Sequence, residues 1–155
     1  MNMFGSKKGV SLVEVLISAV ILVIVAVVFL QSYISCIKLA SMSKEMLFAL
    51  NSAAAKLEEV RSYTFSSIYN YYNNGAGHTF KVAELNPEDS MGIVSVDNSN
   101  PNLFKVTVTV CWRHMDAGIV GENTNLDGIL QSSEDANNNG EMDSPVRLAT
   151  YIVRP

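Results

Sequence analysis

The chain has 155 residues, 48% of them hydrophobic, and a formal net charge of −4. That length holds one modest domain. An acidic balance without a basic stripe gives no electrostatic reason to bind nucleic acid. No nucleophile–base pair, redox motif or phosphate loop stands out in the sequence, so an enzyme is not expected.

The hydrophobic excess is concentrated near the N-terminus. Lys7 and Lys8 precede Gly9, and an apolar run follows in which Glu14 is the lone carboxylate. From Val15 to Leu30 only Ser18 is polar. A bilayer core of about 30 Å needs roughly 20 apolar residues in a helix, and this run supplies them. Its many valines and isoleucines are modest helix formers in water. In lipid, though, a lone spanning segment must satisfy its own backbone hydrogen bonds. A secretory signal loses its apolar part on cleavage, whereas a cut after Gly9 would retain it. The two lysines should stay cytoplasmic and place the rest of the chain outside.

Gly9-Val10-Ser11-Leu12-Val13-Glu14 resembles the cleavage and methylation motif of type IV prepilins and type II secretion pseudopilins. The resemblance implies a peptidase cut between Gly9 and Val10, N-methylation of Val10, and Glu14 as the fifth residue of the mature chain, where an assembly role is expected. Val10 stands where the family usually has Phe or Met. A charge near the middle of a spanning helix costs about 2.5–3.5 kcal/mol on insertion scales. The Glu14 carboxylate could offset that cost by pairing with the amine at Val10 of a neighbouring subunit. Shallow placement or protonation of Glu14 is the plainer reading.

Between Gln31 and Arg61 there is neither Pro nor Gly. Leu39, Met42, Met46, Leu50, Ala53, Leu57 and Val60 recur at helical spacing, which predicts an amphipathic continuation packed on a sheet. Met42 and Met46 are expected as core filler, with Lys44, Glu45, Lys56, Glu58 and Glu59 on the remaining positions. Gln31 occupies the place of a helix-bending proline found in many major pilins, so less bending is expected. Ser62 to Gly77 is read as a loop, its Tyr69, Tyr71 and Tyr72 forming either a subunit contact or buried packing.

Strands are expected at His78–Val82, Gly92–Val96, Leu103–Arg113 and Val146–Val153, with turns at Asn86-Pro87 and Asn100-Pro101. In the third, Phe104, Val106, Val108, Val110 and Trp112 alternate with polar residues. Its apolar face should lie on the helix and its polar face away from it. The fold class is therefore α+β: a long N-terminal helix on an antiparallel sheet of about four strands, which is also the pilin fold that the resemblance implies. The organisation reads as a leader at 1–9 and a helix at 10–62, with a membrane half 10–37 and an amphipathic half 38–62. A β domain at 63–155 carries an insertion at 116–145.

Cys36 on the helix and Cys111 on the sheet's polar face should be too far apart for a disulfide. His78 and His114 read as surface or turn residues. The insertion holds a second pattern. Asn123, Asn125, Asp127, Gly128 and Glu134 match positions 1, 3, 5, 6 and 12 of a calcium loop. Asp135, Asn137, Asn139, Gly140 and Asp143 match positions 1, 3, 5, 6 and 9 of a second, and Ile129 and Glu141 would lend carbonyls. Oxygen-bearing side chains at alternate positions can converge on one hard cation. The pattern resembles EF-hand-like and thrombospondin-type calcium loops. An Asn/Gly-rich surface loop with turn propensity alone is the competing reading. Bound calcium would be structural, fixing a loop of about 30 residues.

Lys56-Leu57-Glu58-Glu59-Val60-Arg61, after an alanine run, resembles minor pilins of the PilV or pseudopilin I type. The expected function is a minor pilin, a structural subunit for type IV pilus assembly, priming or adhesion. A minor pseudopilin of a type II secretion system is the alternative. A single-pass anchored sensor or a ligand-binding adhesin is a weaker third. Expected partners are other pilins, the prepilin peptidase, the inner-membrane assembly platform and the membrane. The expected location is the inner membrane before assembly, then a filament with the C-terminal domain periplasmic or extracellular.

Overall fold

The structure is a computed structural model that describes residues 11–73, 77–115 and 117–155. It divides into two compact units, Met1–Ser41 and Met42–Pro155. Helix α1, Leu12–Ser62, contributes to both. It runs without a break because no Gly or Pro interrupts it, and Arg61 lies in its last turn, where a cation favours the helix dipole. In the first unit every described residue is exposed, including Leu16, Ile21, Val25 and Phe29.

In the second unit α1 becomes one-sided. Ala49, Ala53, Leu57 and Val60 are buried, a spacing that keeps them on one helical face. Met42 and Met46 are not core filler: they remain 37% and 43% exposed. The buried register begins one turn later, at Ala49.

The stretch read as a loop contains a helix, α2, Phe65–Tyr72. Phe65, Ile68, Tyr69 and Tyr72 share a helical face, and Ile68 and Tyr72 are fully buried. Tyr72 therefore packs inside, while Tyr71 is exposed and stacks on Tyr63 at 5.0 Å. The Tyr72 hydroxyl donates to Glu59 Oε1 at 3.0 Å, fastening α2 to α1. Burial, then this bond to a carboxylate, pushes the Tyr72 phenol well above its ordinary value. Glu59 is held below the usual carboxylate range, chiefly by Lys56 at 2.6 Å.

The described residues form a five-stranded sheet: β1 Thr79–Phe80, β2 Ser90–Asn100, β3 Leu103–His114, β4 Gly118–Val120 and β5 Val146–Val153. All pairings are antiparallel. β2 pairs with β1 and β3, and β3 pairs along its other edge with β5 and β4. The strand expected at His78–Val82 shrinks to two residues, that at Gly92–Val96 lengthens, and β4, only three residues long, was not expected.

Alternation divides β3 cleanly. Phe104, Val106, Val108, Val110 and Trp112 join Val94 and Val96 against the buried face of α1. At one end of this face, Glu45 Oε2 accepts from Trp112 Nε1 at 3.0 Å and from His114 Nδ1 at 2.8 Å. His114 is thus buried at 6% exposure and paired, against its expected surface position. The architecture is α+β, a long helix packed on an antiparallel sheet, as the sequence predicted.

The opposite face is not open to solvent as its polar alternation suggested. Thr107, Thr109 and Cys111 are buried, because residues 117–145 of the insertion fold back across them. Leu126 and Met142 from the insertion pack with Met91, Ile93 and Cys111 in a second core cluster.

Candidate functional site

Two places carry the residues singled out in the sequence. The first is the N-terminal part of α1, which contains an 18-residue window of mean hydropathy 3.1, none of it buried. It is long and apolar enough to span a membrane. Glu14 lies in the first turn of α1, and its backbone carbonyl accepts the Ser18 hydroxyl at 2.7 Å. Its carboxylate is exposed and has no ion-pair or hydrogen-bond partner among the described residues. Gly9 and Val10, the expected cleavage and methylation positions, lie outside the described residues.

The second place is the insertion. Gly128 and Gly140, at position 6 of the two calcium-like loops, both adopt positive φ, +85° and +71°. This is the backbone state that glycine reaches without steric cost. The two loops then differ in what their side chains do.

In the first loop the ligand-type residues do not gather. Glu134 turns inward at 7% exposure. Its Oε1 accepts from Thr124 N at 2.8 Å, from the Thr124 hydroxyl at 2.5 Å and from Asn125 N at 3.2 Å, while its Oε2 accepts from Gln131 N at 3.3 Å. Burial alone would raise its pKa, but these donors outweigh burial and hold it below the usual carboxylate range. Asp127 instead accepts from Ile129 N at 2.8 Å and from the amides of Asn125 and Gln131. Asn123, at the loop's first position, is fully buried, and neither its amide oxygen nor its amide nitrogen has a partner.

In the second loop the residues do gather. Asp143 Oδ2 accepts from Asn137 Nδ2 at 2.8 Å and from Asn139 Nδ2 at 2.9 Å. Asp135 accepts from Asn139 N at 3.1 Å and Gly140 N at 2.9 Å. The two asparagine amides, with Arg147 adding to them, outweigh burial and hold Asp143 below its ordinary pKa. Glu141 points its side chain away, pairing with Arg147 and with Lys105 at 3.3 Å.

Sequence reading missed Glu122. Its Oε1 accepts from Ala136 N at 3.1 Å and its Oε2 from Asp143 N at 3.0 Å, so it holds the second loop as Glu134 holds the first. Its place one residue before the first loop was the available signal. Both cysteines are free. Cys111 is enclosed, and burial pushes its thiol up. No protein-family model, curated protein or solved structure matches the chain.

Proposed function

We propose that this chain is a minor pilin, a membrane-anchored structural subunit of a type IV pilus that acts in filament assembly, priming or adhesion. The observation that carries this reading is a bare apolar helix with one unpartnered carboxylate, Glu14, close behind Gly9 and Val10. An apolar helix of this kind is buried either by lipid or by sister helices. A lone intramembrane acid calls for a partner charge, and the amine released at Val10 of an adjacent subunit would supply it. Partners on this reading are other pilins, the prepilin peptidase and the inner-membrane assembly platform. Before assembly the chain sits in the inner membrane as a single-pass protein. A minor pseudopilin of a type II secretion system is the second assembly that the same features serve.

Intact-mass measurement on membrane protein from cells with and without the peptidase tests the processing step. Loss of Met1–Gly9 only where the peptidase is present is the expected result, and an unshortened chain in both would refute it. Glu14→Ala should reduce entry into filaments while leaving membrane insertion intact. Equal incorporation of variant and parent would refute the role of the carboxylate.

A structural calcium ion in the insertion is a second, separable reading, favoured by the orphaned amide of Asn123. An unpaired buried polar group costs about 1–3 kcal/mol, which a bound cation or its water would relieve. The second loop, where the side chains gather, would offer Asp135, Asn137, Asn139, Asp143 and the Glu141 carbonyl, whereas the first would have to draw Asn125, Asp127 and the Ile129 carbonyl towards Asn123. Millimolar calcium should raise the Tm of the full-length protein in detergent, and Asp127→Ala and Asp135→Ala should reduce the rise. An unchanged Tm in all three proteins would rule calcium out.

A further inference from the structure

Where the insertion ends its cover of the sheet, a cavity of about 270 Å³ remains between them. Ser95 and Thr107, opposite each other on β2 and β3, contribute to its floor. Gly128, Ile129 and Leu130 line it from the first loop and Met142 from the second. Thr109 donates to the Met142 carbonyl at 3.3 Å and ties the second loop to the sheet. The hydroxyls of Ser95 and Thr107 have no protein partner among the described residues.

Apart from Asp97, the charges around the cavity are already matched. Lys105 and Arg147 both engage Glu141, and Arg147 also meets Asp143 at 2.6 Å. Asp97 accepts from Ser99 N at 2.9 Å and from the Ser99 hydroxyl. His78 Nδ1 lies 3.2 Å and 3.1 Å from the carbonyls of Tyr72 and Val94, so that nitrogen carries a proton and the ring is fixed. An anion would have to displace Glu141 from its two cations. A simple cation would find one open carboxylate oxygen, Oδ2 of the exposed Asp97, and no second free carboxylate to complete its shell.

What remains is a pair of free hydroxyls, each able to donate and accept, facing apolar side chains from the insertion. A sugar ring presents that same combination of hydroxyl edge and C–H face. The volume is just below the range of about 300–1,000 Å³ usual for drug-sized ligands, which suits a single ring. We propose that this cavity binds a neutral pyranose unit of a carbohydrate, with Ser95 and Thr107 meeting its hydroxyls and Ile129, Leu130 and Met142 its C–H face. The proposal does not depend on filament assembly, and it gives the second unit a ligand of its own.

Saturation-transfer-difference NMR on the full-length protein tests it, in a zwitterionic detergent free of sugar. The probes are methyl glycosides of glucose, galactose and N-acetylglucosamine, with N-acetylneuraminate as an anionic control. At least one neutral glycoside should give a signal that falls at least fivefold in Thr107→Val and in Ser95→Ala, but not in Tyr71→Ala. Ser95 is exposed, so its substitution keeps the test valid even if Thr107→Val fails to fold. Silence from every neutral glycoside, a response to N-acetylneuraminate alone, or an unchanged signal in Ser95→Ala would overturn the assignment.

Discussion

The two faces of the central strand β3 are covered by opposite means. Its inner face, Val106, Val108 and Val110, lies under α1, whose backbone satisfies its own hydrogen bonds and delivers only side chains to the contact. Its outer face, Thr107, Thr109 and Cys111, lies under the insertion, whose described residues form no regular structure apart from β4. An irregular cover brings unpaired backbone donors with it. Here Glu134 and Glu122 accept several of them. One cover is a regular helix held by apolar area; the other is a loop braced internally by two carboxylates, which meets the sheet through Leu126 and Met142 and through the Thr109 and Ser144 hydroxyls. A polar face in a strand's alternation therefore indicates what kind of cover it takes, and does not by itself mean exposure to water.

The largest expected effect breaks the inner contact. Leu57→Ala removes a buried side chain from the helix side and should cost about 3 kcal/mol of stability, read from denaturant unfolding. On the outer side, Glu134→Gln keeps the shape and loses the charge behind its accepted bonds. It should cost about 2 kcal/mol, with faster amide exchange at Thr124, Asn125 and Gln131 and little change in the amides of α1. Equal acceleration in α1 would mean that the two covers unfold as one.

Acid sharpens the contrast further. Hydrogen-bond donors and, for Glu141 and Asp143, Arg147 hold Glu134, Glu141 and Asp143 below the ordinary carboxylate range in the folded state. Their contribution is thus full above that range and is lost as pH falls through the depressed values. Amide exchange across 118–145 should rise in that acid window before exchange in β2 and β3 does. The smallest effect is that of Thr109→Val. It removes the bond to the Met142 carbonyl for about 1 kcal/mol, measurable as a small shift in unfolding midpoint.

The legibility of each part follows from how local its cause is. The long helix could be read because hydropathy and the absence of Gly and Pro are properties of neighbouring residues. β3 could be read because its alternation runs unbroken from Phe104 to Arg113. α2 was hidden because an aromatic-rich stretch ending in Asn-Asn-Gly suggests a loop, although Phe65, Ile68, Tyr69 and Tyr72 carry a helical period. Met42 and Met46 share the helical stripe with Ala49 and Ala53. Where the sheet begins beneath that stripe is fixed by tertiary contact, not by periodicity. The same limit applied to the insertion. Spacing located the oxygen-bearing residues and the two left-handed glycines, but not that Glu134 would turn to backbone donors or that Glu122 would serve the neighbouring loop.

The bond from the Trp112 indole to Glu45 has a practical consequence. This tryptophan is the sequence's sole one, and it sits almost fully enclosed between α1 and the end of β3. Its ultraviolet emission therefore reports a single joint in an otherwise unlabelled molecule. A red shift on mixing with detergent, lipid or another subunit would signal water reaching that joint, so the intact protein carries its own optical gauge of how firmly helix and sheet stay together.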